Sequence, residues 1–83
     1  MRLVYFARVR EQIGTSEEEI VLPANITTVG DLLDHLRRLG KNYDRALEDE
    51  SRIRIAVNEV YVDIDHPVSD RDEVAIFPPM TGG

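Results

Sequence analysis

The order of hydrophobic patterns along the chain predicts an α+β fold, a mixed sheet of about five strands packed on one main helix. Three observations carry it. Period-two alternation recurs at Arg2 to Val9, Arg52 to Asn58 and Glu73 to Phe77. Only Thr28 to Gly40 combines a one-sided apolar stripe with the start and stop signals of a full helix. One helix cannot cover both faces of a sheet, so one face stays open.

The elements follow in order. In Arg2 to Val9, Leu3, Tyr5, Ala7 and Val9 share one face and Arg2, Val4, Phe6 and Arg8 the other, which the arginines mark as wet. Arg10 to Gly14 reads as a short helical turn ended by glycine. Glu18 to Leu22 is a weaker strand closed by Pro23, and it forms a hairpin with the first through a longer connection. Thr28 to Asp31 has the shape of a capping box, with Asp in place of the usual Glu. Val29, Leu32, Leu33, Leu36 and Leu39 form the stripe, and Gly40 ends the helix. Tyr43 to Leu47 adds a further turn. Ile53, Ile55 and Val57 point inward, with Arg52, Arg54 and Ala56 outward. Asn58-Glu59 turns the chain into a short strand, Val60 to Val62, and a polar connection containing Pro67 leads to the last strand. There Val74 and Ile76 face inward, Ala75 and Phe77 outward. A right-handed crossover through the helix lets the first and last strands lie side by side and parallel.

Composition narrows the function. At 83 residues there is one domain, with no room for a second core. With no long apolar run there is no transmembrane segment, and the N-terminus reads as a strand rather than a secretory signal, so no membrane partner is expected and the cytoplasm is favoured. There is no cysteine, hence no disulfide, thiolate metal site or catalytic thiol. Ten basic residues against sixteen acidic ones, a net charge of −6, argue against nucleic acid as a partner.

The ending is the chemically distinctive stretch. After Phe77, Pro78 and Pro79 cannot donate to a sheet ladder and turn the chain out in a stiff, extended form. Residues 1–77 are thus expected to form the domain and 78–83 an extended tail, reaching at most roughly 20 Å. Met80 and Thr81 carry the chain on to Gly82 and Gly83, which lack side chains and suit a narrow channel. The terminal carboxylate of Gly83 is ionised at neutral pH. A carboxylate is a poor electrophile, so it must be activated before a nucleophile can attack it. The body need supply no acid, base or metal, only docking that raises the tip's effective concentration.

A terminal Gly-Gly alone occurs by chance in roughly one chain in 200. The whole ending, Asp72-Glu73-Val74-Ala75-Ile76-Phe77-Pro78-Pro79-Met80-Thr81-Gly82-Gly83, is more specific. It closely resembles the small, sulfur-carrier subunit family of molybdopterin synthase. The likeness runs the length of the chain: Phe6 to Glu11 followed by Gly14, Thr28-Val29 followed by Leu32 and Leu36, Ala56 to Asn58, and Asp65 to Pro67. Arg71 stands where glycine is common in that family, and Met80 where smaller residues are common. The resemblance implies a ubiquitin-like β-grasp fold. It implies that Gly83 is adenylated by a ubiquitin-activating-type adenylyltransferase using ATP, then converted to a thiocarboxylate with sulfur from a donor such as a cysteine desulfurase or rhodanese. No cofactor would be bound by the domain itself; ATP and AMP pass through transiently. The tail would then enter the synthase large subunit and give sulfur to a cyclic pyranopterin, building the dithiolene of molybdopterin. The small chain is then no enzyme by itself, but a subunit of a heteromeric sulfurtransferase.

The open sheet face is the candidate docking surface. Val4, Phe6, Ala75 and Phe77 give it an apolar centre, and Arg2, Arg8, Arg52 and Arg54 a cationic rim, the composition of an interface. Arg10, in the segment Phe6 to Glu11, joins the partner-binding set with Arg8. Asp63, Asp65 and His66 match no standard ligand set, so no metal site is expected. Glu17 to Glu19 reads as a solvent-facing charge run, and His35 as solvated. Three other functions share these features: a protein modifier joined to lysines through Gly83, a sulfur carrier for thiamine or tRNA thiolation, and a non-covalent interaction module. The single lysine, Lys41, makes lysine-linked chains of this protein unpromising.

Overall fold

The computed structural model describes residues 1–79. Elements follow the order β1 (Arg2–Tyr5), α1 (Ala7–Ile13), β2 (Glu17–Glu19), α2 (Val29–Arg37), α3 (Lys41–Leu47), a 3-10 turn (Glu50–Arg52), β3 (Arg54–Val57), β4 (Val60–Val62) and β5 (Glu73–Phe77). One five-stranded mixed sheet has the order β2-β1-β5-β3-β4. β5 lies at its centre, parallel to β1 and antiparallel to β3, so the expected pairing of first and last strands is present.

The inward residues assigned by alternation are the core. Leu3, Tyr5, Ile53, Ile55, Val57, Val74 and Ile76 are buried and pack against Val29, Leu32, Leu33 and Leu36 of α2. The capping box starts α2: Asp31 N–H donates to Thr28 Oγ1 at 3.2 Å, and Thr28 N–H donates to Asp31 Oδ2 at 3.3 Å. The loop after β4 docks on this end, where Gly30 N–H donates to Ile64 O at 2.7 Å. A Cβ on Gly30 would sit 3.3 Å from that carbonyl, so glycine allows the close approach.

Several expectations need correction. The second strand is Glu17–Glu19 rather than Glu18 to Leu22. The first strand ends at Tyr5, not Val9, because Ala7 takes φ 52° and starts α1. Val9 is buried from a helix with Ile13, four residues on, rather than from the sheet. Gly14 ends α1 as expected, at φ 98° with its N–H donating to Arg10 O. The main helix stops at Arg37, so Leu39 leaves the stripe and is 47% exposed. Gly40 instead precedes α3, a helix of seven residues rather than a single turn.

Glu18 is not solvated with its neighbours. It pairs in register with Leu3, facing inward, and one carboxylate oxygen accepts from Tyr5 Oη at 2.7 Å and Tyr43 Oη at 2.8 Å. That joint ties β1, β2 and α3 together. Burial, then the Glu18 hydrogen bond and charge, push the Tyr5 phenol far above its ordinary range. The Tyr43 phenol is raised by the same causes in the same order. Arg71 stands in the turn closed by Asp72 N–H donating to Ser69 O, and it has no positive φ, so its difference from glycine costs the turn nothing.

Candidate functional site

The outward side chains of the sheet line up across strands. Val4 pairs with Ala75, Ala75 with Ala56, and Ala56 with Tyr61, one apolar row from β1 to β4. The next row adds Phe77 opposite Arg54. Phe6, just after β1, meets Phe77 edge-on with ring centroids 6.5 Å apart. Tyr61 meets Phe77 from the other side at 5.4 Å. Val4, Phe6, Ala75 and Phe77 therefore do share one patch.

Tyr61 and Ala56 are the members that sequence reasoning missed. Tyr61 is 74% exposed, more than Phe6 on the same face at 47%. The alternation of β3 already put Ala56 outward. The two-residue Asn58-Glu59 turn then sets Tyr61 opposite it, since both residues take the positive φ of a tight hairpin.

The arginines divide. Arg2 lies on the outer face but is held by Glu17 at 2.6 Å and Glu73 at 3.7 Å. Arg54 stands beside Phe77, its guanidinium donating to the Ser51 and Ile53 carbonyls. Arg8 and Arg52 are not on the sheet. They come from α1 and the 3-10 turn, and with Ala7, Pro78 and Pro79 they line an open cleft of about 430 Å³ at the tail's base. Arg10, expected in the partner-binding set with Arg8, lies on α1 about 200° around the helix from Arg8 and does not line that cleft.

Pro78 and Pro79, half-buried, are the last described residues. Met80, Thr81, Gly82 and Gly83 lie outside the described residues. The base of the tail is well placed nonetheless. β5 is paired along both edges, and Phe6 N–H donates to Ile76 O at 3.1 Å just before Phe77. At its other end Asn58 grips the strand's start, accepting from Glu73 N–H and donating to Asp72 Oδ1, each at 3.0 Å. Among the described residues no group of three or more His, Asp or Glu side chains is placed to hold a metal ion. No helix among them is long and apolar enough to cross a membrane.

A family model described as the ThiS family matches residues 3–83, nearly the whole chain. The chain belongs to the ThiS family. Within it, the chain is 42% identical over 83 residues to the molybdopterin synthase sulfur carrier subunit of Escherichia coli, covering 100% of this chain and 99% of that one. Two solved structures share the ThiS-family fold seen here. SAMP1 from Haloferax volcanii has a TM-score of 0.74 at 27% identity, over 100% of this chain and 98% of that one. Small archaeal modifier protein 1 from Methanosarcina acetivorans has a TM-score of 0.71 at 27% identity, over 99% and 94%. The ubiquitin-like β-grasp expectation is met.

Proposed function

We propose that this chain is a sulfur carrier and the small subunit of a molybdopterin synthase, with Gly83 as its reacting residue. The observation that carries the reading is the position of β5. The C-terminal strand is the centre of the sheet, and it delivers the chain to Pro78 beside an exposed aromatic patch. The full-length likeness to a sulfur carrier subunit supports it.

In this reading the Gly83 carboxylate attacks the α-phosphorus of ATP on an adenylyltransferase, and pyrophosphate leaves. Sulfide-level sulfur from a donor then attacks the acyl carbon and AMP leaves, giving the thiocarboxylate. The charged tail enters the large subunit, where the acyl sulfur attacks a carbon of the pyranopterin and displaces an oxygen substituent. Water then cleaves the resulting thioester, leaving the sulfur on the pterin and restoring the Gly83 carboxylate. Val4, Phe6, Ala75, Phe77 and Tyr61 dock the body, and docking makes the transfer effectively intramolecular. Pro78 and Pro79 give reach, while Gly82 and Gly83 leave the acyl carbon uncrowded. Deleting Gly83 tests the division of labour. The truncated chain should fold and bind the large subunit as before but support no sulfur transfer; persisting transfer would overturn the reading.

A second reading is attachment to protein lysines, favoured by the likeness to small archaeal modifier protein 1. Both readings begin with adenylation of Gly83 and part at the acceptor. A thioacid product supports the carrier, and an amide bond to a target lysine supports the modifier.

A further inference from the structure

We infer that Arg8 and Arg52, beside the base of the tail, form a docking site for acidic side chains on the subunit that receives the tail. The inference rests on the carrier reading above and assigns a recognition chemistry to it.

The two guanidinium groups come from distant positions and separate elements, yet line one cleft with Pro78 and Pro79. They also line a neighbouring cleft of about 350 Å³, where Arg45 of α3 joins them with Gln12, Glu48 and Asp49. The chain has six more acidic than basic residues, so an arginine has ample carboxylates to meet. Arg2 and Arg37 each meet two. Among the described residues Arg8 and Arg45 meet none within 4 Å, as Arg10, Arg38, Arg54 and Arg71 also do not; what sets Arg8 apart is that it shares a cleft with Arg52 at the base of the tail. Arg52 has only Asp49, at 3.6 Å through Nε, and its side chain is 67% exposed. Positive charge is thus left free beside the tail in an otherwise acidic protein.

The cleft lies at the base of the tail, against Pro78 and Pro79. The four residues beyond Pro79 can reach at most roughly 14 Å further. An anion held by Arg8 and Arg52 would therefore belong to the part of the partner that surrounds the tail's base. A ring of carboxylates there is the complementary surface. It would draw the tail's base in, while repelling the rest of this acidic chain and so fixing its orientation.

The test is the association rate of the full-length chain with the large subunit, measured by stopped flow at low and high salt. The variants are Arg8→Glu/Arg52→Glu and a control with the same change in net charge, Arg38→Glu/Arg71→Glu. Circular dichroism checks that each folds, and Arg8→Gln/Arg52→Gln gives a milder step. Reversal at the cleft should slow association by about tenfold or more at low salt and flatten its salt dependence, with the control well short of that. Equal effects of the two pairs would overturn the inference, as would faster association of the cleft variant. If wild type binds and transfers sulfur while ignoring the cleft arginines, this inference falls alone. If wild type does not bind the subunit, the carrier reading falls with it.

Discussion

The ring of Tyr61 lies 5.4 Å from that of Phe77, at 43°, so the edge strand β4 and the central strand β5 present one aromatic surface. Phe6 closes the other side of Phe77 at 6.5 Å. The residue that precedes the tail is thereby bracketed by two rings, one just after β1 and one from β4.

In the proposed carrier such an exposed ring would serve docking more than folding. Tyr61→Ala should weaken binding to the large subunit by about 2 kcal/mol, roughly thirtyfold, while changing folding stability by about 0.5 kcal/mol or less. Phe77→Ala should weaken binding at least as much. Titration calorimetry, with denaturation run beside it, separates the two effects.

The joint at Glu18 should matter for stability instead. Glu18→Ala leaves the buried Tyr5 hydroxyl without its acceptor and should cost about 1–3 kcal/mol by chemical denaturation. It also predicts an alkaline limit. The Tyr5 phenol is raised in the folded state, first by burial and then by Glu18. Its contribution is complete below the unfolded tyrosine value near 10 and is lost as pH rises through the folded value. Stability should therefore start to fall above about pH 10, and Tyr5→Phe should flatten that part of the curve.

On the acid side the direction reverses. Asp31 is held below its ordinary range by the Thr27 amide first, then by the Thr27 and Thr28 side chains and the Thr28 amide. Asp70 is lowered by the Leu22 amide and then by the Met1 amine. Both contribute above the unfolded carboxylate value and lose that contribution as pH falls through the folded one. Asp31→Asn and Asp70→Asn should each reduce the slope of stability against pH between about 5 and 2, as read from thermal melts across that range.

Ala7 starts α1 with φ at 52°, a conformation that glycine adopts freely and alanine does not. Ala7→Gly should stabilise the fold by about 1 kcal/mol, against the usual effect of that substitution in a helix. Gly14→Ala, at φ 98°, should cost about the same amount. Equilibrium unfolding in urea checks both.

The Ala7 case also shows where sequence reading stopped. Leu3, Tyr5, Val74 and Ile76 announced their face by alternation, and Thr28 announced its helix by a cap whose chemistry is local. Nothing about an alanine announces a positive φ, so the alternation from Arg2 ran on through Phe6 to Val9, which is equally spaced for a helix with Ile13. Glu18 was misread for a related reason. Its direction is set by its partner Leu3 across the sheet, and a run of three glutamates shows no face of its own. In the candidate site, Phe6 and Phe77 were legible because they break a polar pattern. Tyr61 was not, because its place depends on the register of a hairpin. The Arg8 and Arg52 cleft depends on the tertiary fold bringing α1 and the 3-10 turn to one cleft, which periodicity does not encode.

The central claim is that Gly83 carries sulfur. Its most direct test is the intact mass of the full-length chain after incubation with the adenylyltransferase, ATP and a sulfur donor. The account predicts a gain of about 16 Da, one oxygen replaced by sulfur, placed on Gly83 by fragmentation. An unchanged mass, under conditions where the adenylyltransferase converts another carrier, would contradict it.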